Sequence, residues 1–139
     1  MARRKSKKNQ GRFAGVPIPV MDTRKYAALS SWGVKLLLDL AYQYKGNNNG
    51  DLHATWSILR YRGWNSKGTL DRATKELLSV GFISRTRQGG RNKCSLFALT
   101  WQPVDPCTDK RTNKSKLDVV DTIVPSRLWR DDVDADNPG

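Results

Sequence analysis

Two short stretches of this chain carry side chains suited to reading a polyanion. Asn65, Ser66, Lys67, Thr69 and Arg72 follow the break at Gly63, and Lys75 lies one residue short of a further turn. Arg85, Arg87, Arg91 and Lys93 then surround the loop Gln88-Gly89-Gly90-Arg91-Asn92 with no acid among them. Asn pairs with the edge of adenine, and Lys or Arg with guanine, when a helix start enters the major groove. A helix N-terminus adds free backbone N–H groups that favour phosphate. On this reading Lys67, Thr69 and Arg72 touch bases or lie near them, with Asn65 and Ser66 beside them. Lys75, deeper along the helix, meets phosphate. Arg85, Arg87, Arg91 and Lys93 reach the adjacent backbone or minor groove. Gly68 lets the backbone approach closely or merely weakens the helix start.

Other chemistry finds little support. His53 is the single histidine, and Cys94 and Cys107 have neither a histidine neighbour nor a Cys-x-x-Cys partner. No zinc site, other metal site or thiol nucleophile is expected. Glu76, the only glutamate, reads as a helix residue with an i, i+4 partner. Gln88-Gly89-Gly90 lacks the strand, helix and Gly-Lys-Ser/Thr ending of a nucleotide loop. The expectation is a non-enzyme with no catalytic residues and no cofactor.

Elements must hold those side chains, and the periodicity predicts them. Val16 to Val20, with Pro17 and Pro19, reads as extended. Asp22 or Thr23 caps a short helix through Tyr26 and Leu29; Ser30 or Ser31 caps a longer one to about Tyr44. Trp32, Leu36, Leu37, Leu40, Ala41 and Tyr44 form its apolar face, with Lys35, Asp39 and Gln43 opposite. The Gly-Asn loop at 46–50 breaks the chain, and Leu52 to Ala54 form a very short strand. Thr55 caps a short helix that Gly63 ends. Ser66 caps a helix with Leu70, Ala73, Leu77, Leu78 and Val80 on one face and Gly81 as its stop. Two strands follow, beginning at Phe82 and at Cys94 and closing on the Gly-Gly turn. Trp56 and Trp101 are read as core or subcore packing, and Trp64 as packing or as a contact to a sugar or base.

This order resembles a winged helix-turn-helix domain. The likeness rests on Thr55-Trp56-Ser57-Ile58-Leu59-Arg60-Tyr61-Arg62-Gly63-Trp64-Asn65-Ser66-Lys67-Gly68-Thr69-Leu70 and on Leu77, Gly81, Phe82 and Ile83 leaving the helix for the wing. The stretches KLLLDLAYQYKGNNNGDL and TRQGGRNKCSLFALTW are similar to helix-turn-helix proteins of bacterial phages, prophages and plasmids. The resemblance spans about residues 13–101. It implies a mainly α fold with a small β-hairpin wing (α+β), and double-stranded DNA as partner.

Length and charge agree. The chain has 139 residues with 25 Lys+Arg against 13 Asp+Glu, a formal net charge of +12. Residues 1–12 carry Arg3, Arg4, Lys5, Lys7, Lys8 and Arg12 without an acid, the expected disordered basic arm on phosphates. Residues 13–101 form the domain and 102–116 a linker. Residues 117–130, LDVVDTIVPSRLWR, form a docking segment that folds back on the domain or pairs with a second copy. Residues 131–139 form a disordered acidic tail, either solubility ballast or a cover that competes with DNA for the basic face. No apolar run approaches the ~20 residues of a membrane span, and MARRKSKKNQ has no apolar stretch behind it to make a secretory signal. The expected protein is cytoplasmic, bacterial and nucleoid-associated. It binds DNA sequence-selectively as a transcriptional regulator of a mobile element. The alternatives are a replication initiator on origin repeats and a host-takeover inhibitor whose partner is a host protein or nucleic-acid channel. A homodimer would present two reading helices to successive grooves.

Overall fold

The computed structural model describes residues 11–133. Arg3, Arg4, Lys5, Lys7 and Lys8 of the basic arm and residues 134–139 of the acidic end lie outside them. The described residues form a mixed α+β fold: five α-helices, one 3-10 turn and a two-stranded antiparallel hairpin. The helices are α1 Ile18–Met21, α2 Arg24–Ala27, α3 Ser31–Gln43, α4 Trp56–Leu59 and α5 Lys67–Val80. The 3-10 turn, Arg60–Arg62, continues α4.

Caps set the two long helices. Ser30 accepts a hydrogen bond from Gly33 N at 3.0 Å to start α3, and Ser66 accepts one from Thr69 N at 3.0 Å to start α5. Gly81 adopts φ +86, which lets Phe82 N donate to Leu77 O and closes α5. Leu36, Leu37 and Leu40 of α3 pack against Leu70, Ala73 and Leu77 of α5, with Leu59, Phe82, Ile83, Phe97 and Leu99 completing the core. Glu76 joins the same two helices at their surface. Its carboxylate accepts from Ser30 N at 2.9 Å and Ser30 Oγ at 2.6 Å, so α5 supplies part of the cap of α3. That long-range role replaces the expected i, i+4 pairing.

The strands are β1 Ile83–Arg87 and β2 Leu96–Leu99. Pairing runs Ile83 to Leu99, Ser84 to Ala98 and Arg85 to Phe97, then slips by a bulge so that Arg87 meets Leu96. The bulge turns Thr86 inward, where its hydroxyl donates to Gly50 O at 2.6 Å. Leu52 exchanges backbone hydrogen bonds of 3.2 and 2.8 Å with Phe97. The expected strand at 52–54 is therefore a single bridge.

Several expectations need correction. Residues 18–21 are helical, not extended, because prolines at the start of a helix displace only N–H groups that lack intrahelical partners. The next helix is capped by Thr23 and ends at Ala27, short of Leu29. Phe82, Cys94 and Trp101 lie outside the strands.

The larger correction concerns residues 102–116, expected to be a linker. They are folded onto the body, and Asn49 holds them. Its fully buried amide donates to Leu99 O, Gln102 O and Pro103 O at 3.0, 3.2 and 2.9 Å, while its oxygen accepts from Leu99 N at 2.8 Å. Asp105 accepts from Asn49 N at 2.8 Å, and Lys116 pairs with Asp51 at 2.9 Å. Cys107 is buried there, and burial, with Asp51 and Asp105 nearby, pushes its thiol up to about 11.

Residues 117–130 continue along the body through backbone bonds rather than through their valines. Asp118 N donates to Thr86 O and its carboxylate accepts from Gln88 N, both at 2.8 Å. Arg127 N donates to Thr100 O at 3.1 Å, and Trp129 packs on the core. Val120 and Ile123 remain 82% and 94% exposed. Asp131, placed in the expected disordered tail, accepts from Arg24 N and Lys25 N at 2.8 and 3.2 Å. Those backbone bonds, Arg24's first, hold its carboxyl below the usual range.

Candidate nucleic-acid interface

The turn Gly63-Trp64-Asn65-Ser66 joins the 3-10 turn to α5, and Gly63 takes φ +90 to make it. Trp64 is its anchor. The indole is buried, stacks tilted on Trp32 at 5.0 Å between centroids, and donates from Nε1 to Asp39 Oδ2 at 2.8 Å. A contact from Trp64 to a sugar or base is excluded by that burial. Asp39, expected on the polar face of α3, is buried with it, flanked by Lys35 and Arg62 at 3.6 Å each. The charge is tolerated because an N–H and two cations surround it.

With the turn anchored, the geometry of α5 distributes its polar side chains. Leu70, Ala73 and Leu77 point to the core. The opposite ridge carries Gly68, Asp71, Arg72, Lys75 and Ser79, all exposed. Asn65, Ser66 and Lys67 are exposed at its N-terminal end. Thr69 is half-buried, bonded to Ser66 Oγ at 3.0 Å, and accepts from Arg72 Nη2 at 3.2 Å. Thus Ser66, Thr69 and Arg72 form one chain of hydrogen bonds that presents the guanidinium at the first turn. A side chain at 68 would meet only Arg72 Nη1 at 3.4 Å and Ser66 Oγ at 3.8 Å, so the surface over Gly68 is open.

Between α5 and the hairpin lies an open groove of about 340 Å³. Lys67, Asp71 and Thr74 form one wall, Arg85, Cys94, Ser95 and Phe97 the other, and Ala54, Thr55 and Trp56 the floor. It brings Lys67 and Arg85 to one place, with Asp71 as the single acid. Thr69 and Arg72 border a different concavity, toward Ser30, Trp32 and Glu76. The expected contact set therefore covers two flanks and a ridge rather than one patch.

The hairpin residues also divide. Arg85 stands over the Phe97 ring at 5.7 Å and bonds Gln88 Oε1 at 3.1 Å. Arg87 turns across the hairpin, giving Nε and Nη2 to Cys94 O at 3.1 and 2.7 Å. Arg85 and Arg87 both sit in β1. Arg91 and Lys93 stand exposed at the tip, where Gly90 and Lys93 exchange backbone bonds and Asn92 takes φ +61.

His53 is half-buried, and its Nδ1 accepts from Thr55 N at 3.3 Å. Burial lowers its pKa; Asp51 opposes the shift more weakly. Among the described residues no three His, Cys, Asp or Glu side chains gather to hold a metal, and no helix is long and apolar enough to cross a membrane. Arg60, Tyr61 and Arg62, which the spacing did not single out, lie on the outside of the same turn.

Comparison with protein-family models, curated proteins and solved structures finds no match to this chain. What the surface can do is therefore read from its own side chains.

Proposed function

We propose that residues 13–101 act as a winged helix-turn-helix unit that binds double-stranded DNA sequence-selectively. In a bacterial mobile element that activity would serve transcriptional regulation beside the nucleoid. The observation that carries this reading is the exposed ridge of α5, bordered by the cationic hairpin groove. A helix with Arg72 and Lys75 on its solvent side and an open first turn fits the width of the major groove. Lys67 and Arg85 then flank it, and Arg91 and Lys93 reach the neighbouring backbone. Electrostatic contacts of this kind supply affinity, whereas base-edge contacts supply selectivity.

The test separates those two parts. Arg72→Ala should cost about 1–3 kcal/mol on a selected duplex and relax preference at one position. Lys75→Ala should weaken all duplexes alike and reduce the salt dependence by about one contact. Arg87 is unsuited to this comparison because its removal also unties the hairpin from Cys94. Binding of selected and random duplexes by both variants checks it. The same pattern from the two variants, or no effect from either, contradicts the assignment.

A further inference from the structure

A second surface lies away from the groove between α5 and the hairpin. Phe13, Tyr42 and Tyr61 are 76%, 59% and 76% exposed. One exposed ring is ordinary; each of these three has a cation beside it. Phe13 and Tyr42 line one cleft of about 520 Å³ together with Arg12 and Lys45. Arg12 Nη2 donates to Tyr44 O at 3.4 Å, which ties the Phe13 segment to the end of α3. Arg62 stands 4.2 Å over the Tyr42 ring, and in the same 3-10 turn Arg60 stands 4.8 Å over Tyr61. The nearby acids are engaged: Asp51 pairs with Lys116, and Asp39 is buried against Trp64 and Arg62.

We propose that this face binds an unpaired nucleic-acid strand, stacking bases on Tyr42, Tyr61 and Phe13 and holding phosphates with Arg12 and Arg60. A partner for it must bring flat π surfaces and negative charge at short alternation, and unpaired nucleotides bring both. A duplex does not, because its bases are stacked on one another and only their edges are open. Lys45 adds a further cation at the cleft. None of these residues belongs to the groove assigned to the duplex, so either surface can fail without the other.

The experiment uses the whole chain and fluorescence anisotropy. The probes are oligo-dT and oligo-rU of about 15 nucleotides, an abasic strand of the same length, and a duplex. Oligo-dT is expected to bind about ten-fold or more tightly than the abasic strand, which has the same charge without the rings. The double variant Tyr42→Ala/Tyr61→Ala should lose about ten-fold or more on oligo-dT and change less than about two-fold on the duplex. The tighter of oligo-dT and oligo-rU identifies the strand as DNA or RNA, and either supports the proposal. Equal binding of abasic and dT strands overturns it. So does loss of duplex and strand binding in equal measure in a double variant that keeps the parent's unfolding midpoint, since that reports one general polyanion surface. No strand binding at all, including where the double variant instead abolishes capture of an acidic peptide, also overturns it. The abasic comparison keeps the test decisive if the double variant folds poorly. Strand binding that survives without any duplex binding would sink the proposed function alone.

Discussion

Asp39 is a carboxylate taken out of water, and its surroundings explain why the turn before α5 is rigid. Trp64 Nε1 reaches it at 2.8 Å, and the indole packs on Trp32. Trp64→Phe keeps most of the packing but removes the donor. It should destabilise the protein by about 1–3 kcal/mol, the cost of leaving a buried acceptor short of a partner. Urea unfolding checks this, and an unchanged midpoint would contradict it. The burial of Asp39 was not legible in the sequence. Its spacing placed it with Lys35 and Gln43 on a polar face, and the group that covers it comes from 25 residues away. His53 is a second residue with a measurable signature. Burial lowers its pKa and its Nδ1 already accepts Thr55 N, so the folded state prefers the neutral ring. The unfolded chain takes up the proton first, near the ordinary value of about 6.5. The contribution is thus complete above that value and lost as pH falls through the folded-state pKa. Urea midpoints at about pH 7.5 and about pH 5 should differ more for the parent than for His53→Asn. Equal pH responses would contradict the assignment.

At the scale of elements, the local signals and the long-range ones behave differently. Ser30, Ser66 and Gly81 mark helix ends by the backbone groups they satisfy, and each stands where the sequence places it. The leucines of α3 and α5 mark their buried faces by period. The turn at Gly89 and Gly90 marks the hairpin, and a side chain at 89 would lie only 2.6 Å from Ser95 N. Residues 102–133 carry no such period. They are held by Asn49, Asp105, Lys116, Asp118 and Asp131 through hydrogen bonds to backbone and single ion pairs, for which composition gives no signal. Ending the chain after Trp101 removes two of the three acceptors of the buried Asn49 amide and uncovers Leu99 and Thr100. The shortened protein should be less stable by about 3 kcal/mol or more. Chemical unfolding of the two lengths measures it; equal stability would mean that this segment is only appended.

At the scale of the whole molecule, the net charge of +12 is unevenly spent. Of the C-terminal acids, Asp105, Asp118 and Asp131 bind backbone N–H groups on the body. All three anchor their segment, and of the expected acidic cover at 131–139 it is Asp131 that is bound to the body instead. The polar residues proposed as contacts could be placed from the sequence by type and by their position at the helix start. Their partition was not, because the bonds of Arg72 to Thr69 and of Arg87 to Cys94 depend on rotamers the spacing does not fix. The aromatic face was likewise hidden: Tyr42 and Tyr61 belong to different elements, and the contact of Arg62 with Tyr42 that links those elements is long-range. The central claim, that the cationic α5 and hairpin surface binds duplex DNA, is tested most directly by affinity across a salt series. If about six phosphates are neutralised, log affinity should fall against log salt with a slope near −5. A flat response would contradict it.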